Sequence, residues 1–285
     1  MITKGRFAPT PSGPLHEGSL QTATASWLSA RRPRGQWWVR VDDLDAARCP
    51  PGATDFILQQ LEAYGLHWDG SPIYQSLHIE RYRDARAQLD SMGVLYPCDC
   101  TRAERRARLQ DASAAYDQHC WRHPHPSVKP PAWRLVLDEG SLPWRDQQLG
   151  TQTPTREALG DPVVWRQDDI PGYALSCAVD EWIMGITEVV RGEDLKAETA
   201  PQVQIARQLG YPLPRYRHLP LVLDPAGRKM SKQNHAATLP HDAAGMSSAM
   251  QRVLTRLGYT LPPVLRGASP MLQLQWALES PVTTG

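Results

Sequence analysis

The sequence lacks the features of a membrane or exported protein. No run approaches the roughly 18 consecutive apolar residues of a membrane span. The start, Met1-Ile2-Thr3-Lys4-Gly5, carries no apolar stretch of the secretory kind. A cytoplasmic chain is expected. An excess of charge of one sign is also missing: 31 Lys and Arg against 30 Asp and Glu leave a formal net charge of +1. No global field therefore favours nucleic acid, and any RNA contact has to rest on local patches. Cysteine is sparse and odd in number, Cys49, Cys98, Cys100, Cys120 and Cys177. In a reducing compartment that favours a metal site, where three of the thiols bunch, over a disulfide framework. Two Phe against ten Trp and 26 Pro suggest the habits of a GC-rich genome more than a function. What is present is ample length: 285 residues, 41% hydrophobic, can bury a full core, as one large domain with an insertion or as two modest ones.

The most informative stretch is Arg6-Phe7-Ala8-Pro9-Thr10-Pro11-Ser12-Gly13-Pro14-Leu15-His16-Glu17-Gly18-Ser19-Leu20, followed by a run rich in Ala, Thr, Leu and Trp. Pro9, Pro11 and Pro14 stiffen the loop, while Gly13 and Gly18 let it turn or approach a ligand closely. Ser19 is placed to cap a helix over 19–30 whose free N–H groups face an anion. The layout suits a phosphate site, and equally a loop entering a buried helix. A first strand over 5–8, this helix and a β-rich stretch over 36–41 make a β-α-β opening. Asp42-Asp43-Leu44-Asp45 then falls at the ligand edge of a parallel sheet, where it reads either as a site or as a solvated turn. Helices are expected over 54–65 and 77–92, the second bearing Arg81, Arg83 and Arg86 as a solvated face.

From Tyr96 the text turns polar and rich in Pro and His, with an arginine-dense helix over 101–110, which reads as an insertion. Cys98, Cys100 and Cys120 offer three soft donors that a loop can fold around one Zn²⁺; Tyr116, His119, His123 and His125 are candidates for the fourth position. Three buried structural cysteines are the plainer alternative. The α/β pattern resumes with strands at 163–166 and 187–192, an apolar run from Tyr173 that ends at Asp180-Glu181, and a helix over 200–209. After 219–223 a turn presents Arg228-Lys229-Met230-Ser231-Lys232-Gln233, a cationic loop. Helices over 243–257 and 269–278 close the chain.

Pro14-Leu15-His16-Glu17-Gly18-Ser19 resembles the HIGH signature of class I aminoacyl-tRNA synthetases, and Lys229-Met230-Ser231-Lys232-Gln233 resembles their KMSKS signature. Arg6 to Gly13, the strand ending in Asp42-Asp43-Leu44-Asp45, and Val190-Arg191-Gly192-Glu193-Asp194-Leu195 resemble the glutamyl branch. The resemblance runs from Arg6 to Pro240. It implies an α/β fold: a Rossmann-like parallel-sheet catalytic domain split into 1–97 and 163–222, a zinc-containing insertion at 98–162, and at 223–285 the Lys-Met-Ser-Lys loop with a short C-terminal helical segment. With only about 50 residues after that loop, the large helical anticodon-reading domain of a glutamyl-tRNA synthetase is expected to be missing. The chain is therefore similar to the truncated paralogues of that branch, which activate L-glutamate with ATP and attach it to queuosine in the anticodon of tRNA(Asp).

The resemblance implies roles residue by residue. His16, Gly18 and Lys232 are catalytic, and His16, Gly18, Ser19, Lys229, Met230, Ser231 and Lys232 bind ATP, which Mg²⁺ accompanies. Arg6, Phe7, Ala8, Pro9, Thr10, Asp42, Tyr173 and Arg191 bind glutamate, with Arg6 and Arg191 on its side-chain carboxylate, Asp42 on its ammonium and Tyr173 lining the pocket. Cys98, Cys100, Tyr116 and Cys120 hold one structural Zn²⁺; the resemblance, not the spacing, raises Tyr116 above the histidines. A monomer without membrane contact is expected. Departures cluster around the amino-acid pocket: Asp42 stands where Glu is usual, Ala174 where Asn is usual, Cys177 and Glu181 are atypical, and Glu17 replaces an apolar or aromatic residue. They leave two alternatives, a ligase with a different amino acid or acceptor, and a catalytically degenerate tRNA-binding paralogue. The RNA could dock on the insertion, through Arg102, Arg105, Arg106 and Arg108.

Overall fold

A computed structural model describes residues 2–109, 115–127, 129–223 and 238–281. The first half runs β1 (Lys4–Phe7), α1 (Glu17–Arg31), β2 (Gln36–Val41), α2 (Ala53–Ala63), β3 (Ile73–Tyr74), α3 (Ile79–Ser91), β4 (Leu95–Cys98), α4 (Arg102–Leu109), α5 (His119–Arg122) and β5 (Ala132–Leu135). The second runs β6 (Trp144–Asp146), β7 (Gly150–Gln152), α6 (Arg156–Leu159), β8 (Val163–Trp165), α7 (Tyr173–Ile183), β9 (Glu188–Gly192), α8 (Lys196–Gln208), β10 (Arg215–Leu219), α9 (Ala243–Arg256) and α10 (Pro270–Glu279). The chain divides into two units: residues Met1–Ser76, Ile186–Asp194 and Tyr216–Gly285 form one, Leu77–Gly185 and Leu195–Arg215 the other. No helix of the described residues is long and apolar enough to cross a membrane.

In the first unit β1 pairs in parallel with β2, Lys4 opposite Gln36 and Phe7 opposite Val39, and β2 continues in parallel to β3. β9 lies beside β1, tied by the Thr187 N–H donating to the Lys4 carbonyl at 2.9 Å. α1 packs on β1, β2, β9, α9 and α10. Burial on so many sides explains why it is built from small residues with little amphipathic bias. Leu20, Ala23 and Leu28 enter the core with Trp37, Val39, Ile57, Leu61, Met250 and Leu254. Each fully buried large aliphatic side chain contributes about 1.5–3 kcal/mol. Ser26, buried there, is satisfied on both sides: its Oγ donates to the Arg6 carbonyl at 2.8 Å and accepts from Trp37 Nε1 at 3.0 Å.

The second unit holds an antiparallel sheet, β4-β5-β8, with a register shift between Trp133 and Arg134, and the antiparallel pair β6-β7. α7 packs between α3 and α8. The arginines of α3 are not a solvated face. Arg81 pairs at 2.9 Å with Asp180, which is fully buried and also accepts from the Tyr82 hydroxyl at 2.9 and 3.0 Å. Arg86 lies over the rings of Trp133 and Trp165, 4.8 and 5.1 Å from their centroids. Only Arg83 keeps to exposed partners, Glu80 and Asp169. An apolar stem with a charged head lets an arginine cover apolar surface, which a charge count along a helix does not reveal.

Candidate functional site

The helix mouth is built around His16. Ser19 is not the cap: α1 begins two residues earlier, His16 adopts extended angles (φ −116°, ψ 173°), and its Nδ1 accepts from the Ser19 N–H at 3.2 Å. Ser19 instead stands in the first turn, with its Oγ 3.3 Å from His16 Nε2. Because Nδ1 accepts, the ring carries its proton on Nε2, which can donate to Ser19 Oγ or to a phosphate oxygen that takes its place. Gly18 is needed here for close approach: a Cβ would lie 3.1 Å from Cε1 and Nδ1 of the His16 ring. The entering loop is fixed from three sides. The Leu15 N–H donates to Gln60 Oε1 at 2.8 Å, the Leu15 carbonyl accepts from Leu239 N–H at 3.1 Å, and His16 forms a β-bridge with Thr238. Lys229, Met230, Ser231 and Lys232 lie outside the described residues.

Glu17 has a partner that the sequence does not announce. Its carboxylate is shared by Arg252, at 2.8 Å, and Arg256, both on α9. Burial pushes this carboxyl up, but the two guanidiniums outweigh that and hold it below the usual carboxylate range.

At the carboxyl ends of neighbouring strands stand two buried arginines. Arg6, 3% exposed, donates from Nη1 to the Val190 carbonyl at 3.3 Å, which places it next to Arg191 across β1 and β9. Arg191 is equally buried, donates from Nε to His218 Nε2 at 3.1 Å and lies 5.6 Å over the Tyr216 ring. Phe7, next to Arg6 in β1, stacks on Trp37 with ring centroids 6.5 Å apart. The Pro9 carbonyl accepts from Asp42 N–H at 3.0 Å, so the loop holding Ala8, Pro9 and Thr10 is joined to the end of β2. The Asp42-Asp45 segment is not a solvated turn. Asp42 is gripped by the fully buried Arg40, Nε to Oδ1 at 2.7 Å and Nη2 to Oδ2 at 3.2 Å. Asp43 accepts from Ser76 N and Oγ at 2.8 and 2.6 Å, and Asp45 pairs with Arg48. Tyr173, half-exposed, and the buried Ala174 and Cys177 open α7 in the other unit.

In that unit the three bunched thiols and one phenol converge. Cys98, Cys100 and Cys120 bring their sulfurs within 4.8 Å of one another. The Tyr116 hydroxyl lies 3.3 Å from Cys98 Sγ and 3.7 Å from Cys100 Sγ, and Cys100 Sγ is 3.3 Å from Cys120 Sγ. Tetrahedral donors around a zinc with bonds of about 2.0–2.3 Å stand roughly 3.5–3.8 Å apart, so this set fits a soft, closed site. The histidines do not complete it: His119 and His123 pack ring to ring at 5.1 Å, and His125 pairs with Asp99 at 2.8 Å and joins only Cys120. Burial pushes the Tyr116 phenol well above its ordinary range and Cys120 up to about 12. At Cys98 burial also raises the thiol, yet the Tyr116 hydroxyl and the Arg134 guanidinium outweigh it and bring it below the ordinary value. A cation is thus already provided for one thiolate.

Four residues that sequence reasoning missed organise these places. Arg40 neutralises Asp42, and His218 meets Arg191. Arg134 sits 3.8 Å over the Tyr116 ring. Asp161, 1% exposed, accepts from Tyr96 Oη at 2.9 Å, Gln118 Nε2 at 3.0 Å and Leu137 N–H at 3.0 Å, binding the insertion's segments into one body. Arg40 and Arg134 are buried in the mostly apolar strands β2 and β5, where a charged residue is a weak signal; His218 in β10, Arg-Tyr-Arg-His-Leu, and Asp161 ahead of β8 carry none.

Residues 3–266 match the family described as tRNA synthetases class I (E and Q), catalytic domain. A glutamyl-Q tRNA(Asp) synthetase of Thiobacillus denitrificans is 42% identical over 277 residues, covering 96% of this chain and 91% of that protein. One of Escherichia coli K12 is 44% identical over 237 residues, covering 83% and 75%. Among solved structures, a glutamate-tRNA synthetase from Elizabethkingia anophelis superposes with a TM-score of 0.83 at 24% identity, over 99% of this chain and 66% of that one. That likeness supports a Rossmann-like α/β fold.

Proposed function

The chain belongs to the class I tRNA synthetases of the E and Q type, in the family of glutamyl-Q tRNA(Asp) synthetases, and from that premise we propose that it activates glutamate with ATP and transfers it to queuosine at the wobble position of the tRNA(Asp) anticodon. The observation that carries this reading is the pair of buried guanidiniums, Arg6 and Arg191, on adjacent strands of the same unit as the His16 helix mouth. A helix N-terminus suits phosphate, and guanidiniums suit a carboxylate gripped by two parallel hydrogen bonds.

Activation is an in-line attack of the glutamate α-carboxylate oxygen on the α-phosphorus, with pyrophosphate leaving. Charge grows on the phosphate oxygens, and preorganised donors lower the barrier where it grows. His16 Nε2–H and the free N–H groups of the first turn of α1 are such donors, and the absence of a side chain at Gly18 leaves room for the nucleotide. Lys229 and Lys232 are assigned to the triphosphate, which Mg²⁺ accompanies, with Met230 and Ser231 completing that loop. Asp42 is assigned to the ammonium; Arg40 holds its carboxylate in place through two hydrogen bonds. In the second step an acceptor hydroxyl attacks the carbonyl carbon of the adenylate, a new ester C–O bond forms, AMP leaves and the hydroxyl proton passes to solvent. One Zn²⁺ is assigned to Cys98, Cys100, Tyr116 and Cys120, where it would lock the insertion's fold.

ATP–pyrophosphate exchange across the amino acids, followed by transfer to tRNA(Asp) with and without queuosine, tests this. Exchange with glutamate, lowered about a hundredfold by His16→Ala, and charging of the queuosine form alone are expected. Exchange driven by another amino acid, or equal charging of unmodified tRNA, would replace the reading with a ligase of different specificity.

A further inference from the structure

The second unit contains a cavity of about 400 Å³ between the insertion and the starts of α7 and α8. That lies within the size range of small-molecule sites, roughly 300–1,000 Å³. Arg105, Arg134, Tyr116, Tyr173 and Glu198 line it, with Ala197 at its exposed rim. Arg134 is 7% exposed, and its Nη1 donates to the Asp161 carbonyl at 2.6 Å. Its Nε, like the Nε of Arg105, is buried without a hydrogen-bond partner among the described residues. The two guanidiniums flank the Tyr116 ring, at 3.8 and 5.7 Å from its centroid. Two guanidiniums in the lining of one cavity suit an anionic acceptor.

The rest of the lining narrows what that acceptor belongs to. Glu198 opposes a dense polyanion such as a triphosphate, and offers an acceptor for a hydroxyl or amine. Tyr173 offers a ring face against which a base can stack. The four arginines of α4 are not equivalent. Arg108 is held by Asp117 at 2.7 and 3.0 Å, whereas Arg102 and Arg106 are exposed within a turn of Arg105. Cations leading outward from a pocket suit a phosphodiester strand better than a lone nucleotide.

We propose that this cavity receives one nucleotide of the acceptor RNA's single-stranded loop, its phosphate between Arg105 and Arg134 and its base against Tyr173. This rests on the tRNA reading above. It gives Tyr173 a second contact and assigns the docking of the anticodon loop to α4 and the cavity.

The test compares the full-length enzyme with Arg105→Ala and, because Arg105 stands near a proposed metal ligand, with Ala197→Trp, which fills the rim from the far side. Three readouts are taken: glutamate-dependent ATP–pyrophosphate exchange, zinc per chain, and KM for queuosine-bearing tRNA(Asp). Both variants are expected to raise the tRNA KM about tenfold, the loss of one charge-assisted contact, with exchange and zinc unchanged. A wild-type tRNA KM in both overturns the proposal. So does a rise in the KM for ATP or glutamate in both, which would make the cavity part of the adenylation site. If the wild-type enzyme fails to exchange with glutamate or to charge this tRNA, the tRNA reading itself falls. Filter binding of the same tRNA to wild type and both variants then decides the cavity independently.

Discussion

Gly18 and Gly160 both stand against a residue to which the proposed function gives a role, His16 and Tyr116, and they are constrained in opposite ways. A Cβ on Gly18 would meet the ring of His16 at 3.1 Å, the far end of a side chain that can swing. A Cβ on Gly160, whose φ is +67°, would meet the backbone nitrogen of Tyr116 at 2.3 Å. The helix mouth is thus held mostly by side chains: Gln60 on Leu15, Ser19 on His16, Arg252 and Arg256 on Glu17. The cysteine cluster is held by backbone packing and by the buried Asp161, immediately after Gly160. On the proposed function, the helix mouth binds and releases a nucleotide and needs donors that can exchange partners, whereas the cluster, as a closed metal site, needs donors that cannot move apart.

Gly160→Ala presses hardest on this contrast. The backbone of Gly160, φ 67° and ψ 154°, lies in a region essentially reserved for glycine and costs a residue with a side chain about 1–3 kcal/mol, with the overlap with Tyr116 adding about 1–3 more, for a total of about 4 kcal/mol. Urea unfolding of the variant should report that loss, and zinc per chain should fall well below one. Full zinc with wild-type stability would mean that the cluster is as adaptable as the helix mouth. Gly18→Ala is the matched, smaller perturbation. The ring of His16 must shift by a few tenths of an ångström, which should lower glutamate-dependent exchange about tenfold, or about 1.4 kcal/mol. Zinc and stability should stay as in the wild type. A loss of zinc in this variant would show that the two regions are not separately built.

The same contrast explains what could be read from the chain. The helix mouth is a local arrangement: Leu15, His16, Gly18 and Ser19 lie within one turn and its approach, so their order along the sequence already is their order in space. Only the identity of the cap was misassigned, because a histidine ring accepting from Ser19 N–H does what a serine hydroxyl does elsewhere. The thiols were legible as candidate donors because Cys98, Cys100 and Cys120 bunch in one region, with three buried structural cysteines as the alternative. Spacing alone left the fourth donor among Tyr116 and three histidines; the resemblance favoured Tyr116, and the fold brings its hydroxyl beside the Cys98 and Cys100 sulfurs. Arg40, His218, Arg134 and Asp161 were hidden for another reason. Their partners lie between 2 and 65 residues away, and what marks them is burial, which follows from tertiary packing rather than from any local pattern. Arg81 and Arg86 failed in the same way, as exposed by periodicity and engaged by neighbours from other elements.

Glu17→Gln offers the finest measure of how loosely the helix mouth is held. The carboxylate bridges α1 to Arg252 and Arg256, whose side chains are 51% and 34% exposed, so solvent screening limits the pair to about 0.5–1 kcal/mol. Its folded pKa lies below the value in the unfolded chain, so the folded state binds the proton less readily. The stabilisation is therefore complete above the unfolded pKa of about 4.3 and is lost as pH falls through the lower folded value. Glutamine cannot ionise, so the stability difference between wild type and variant should be flat from neutral pH down to about 5 and vanish in more acid solution. It should also shrink in high salt. A difference that persists unchanged at pH 3 would mean that Glu17 acts through packing and hydrogen-bond shape alone. The link from α9 to the histidine's helix would then be steric rather than electrostatic.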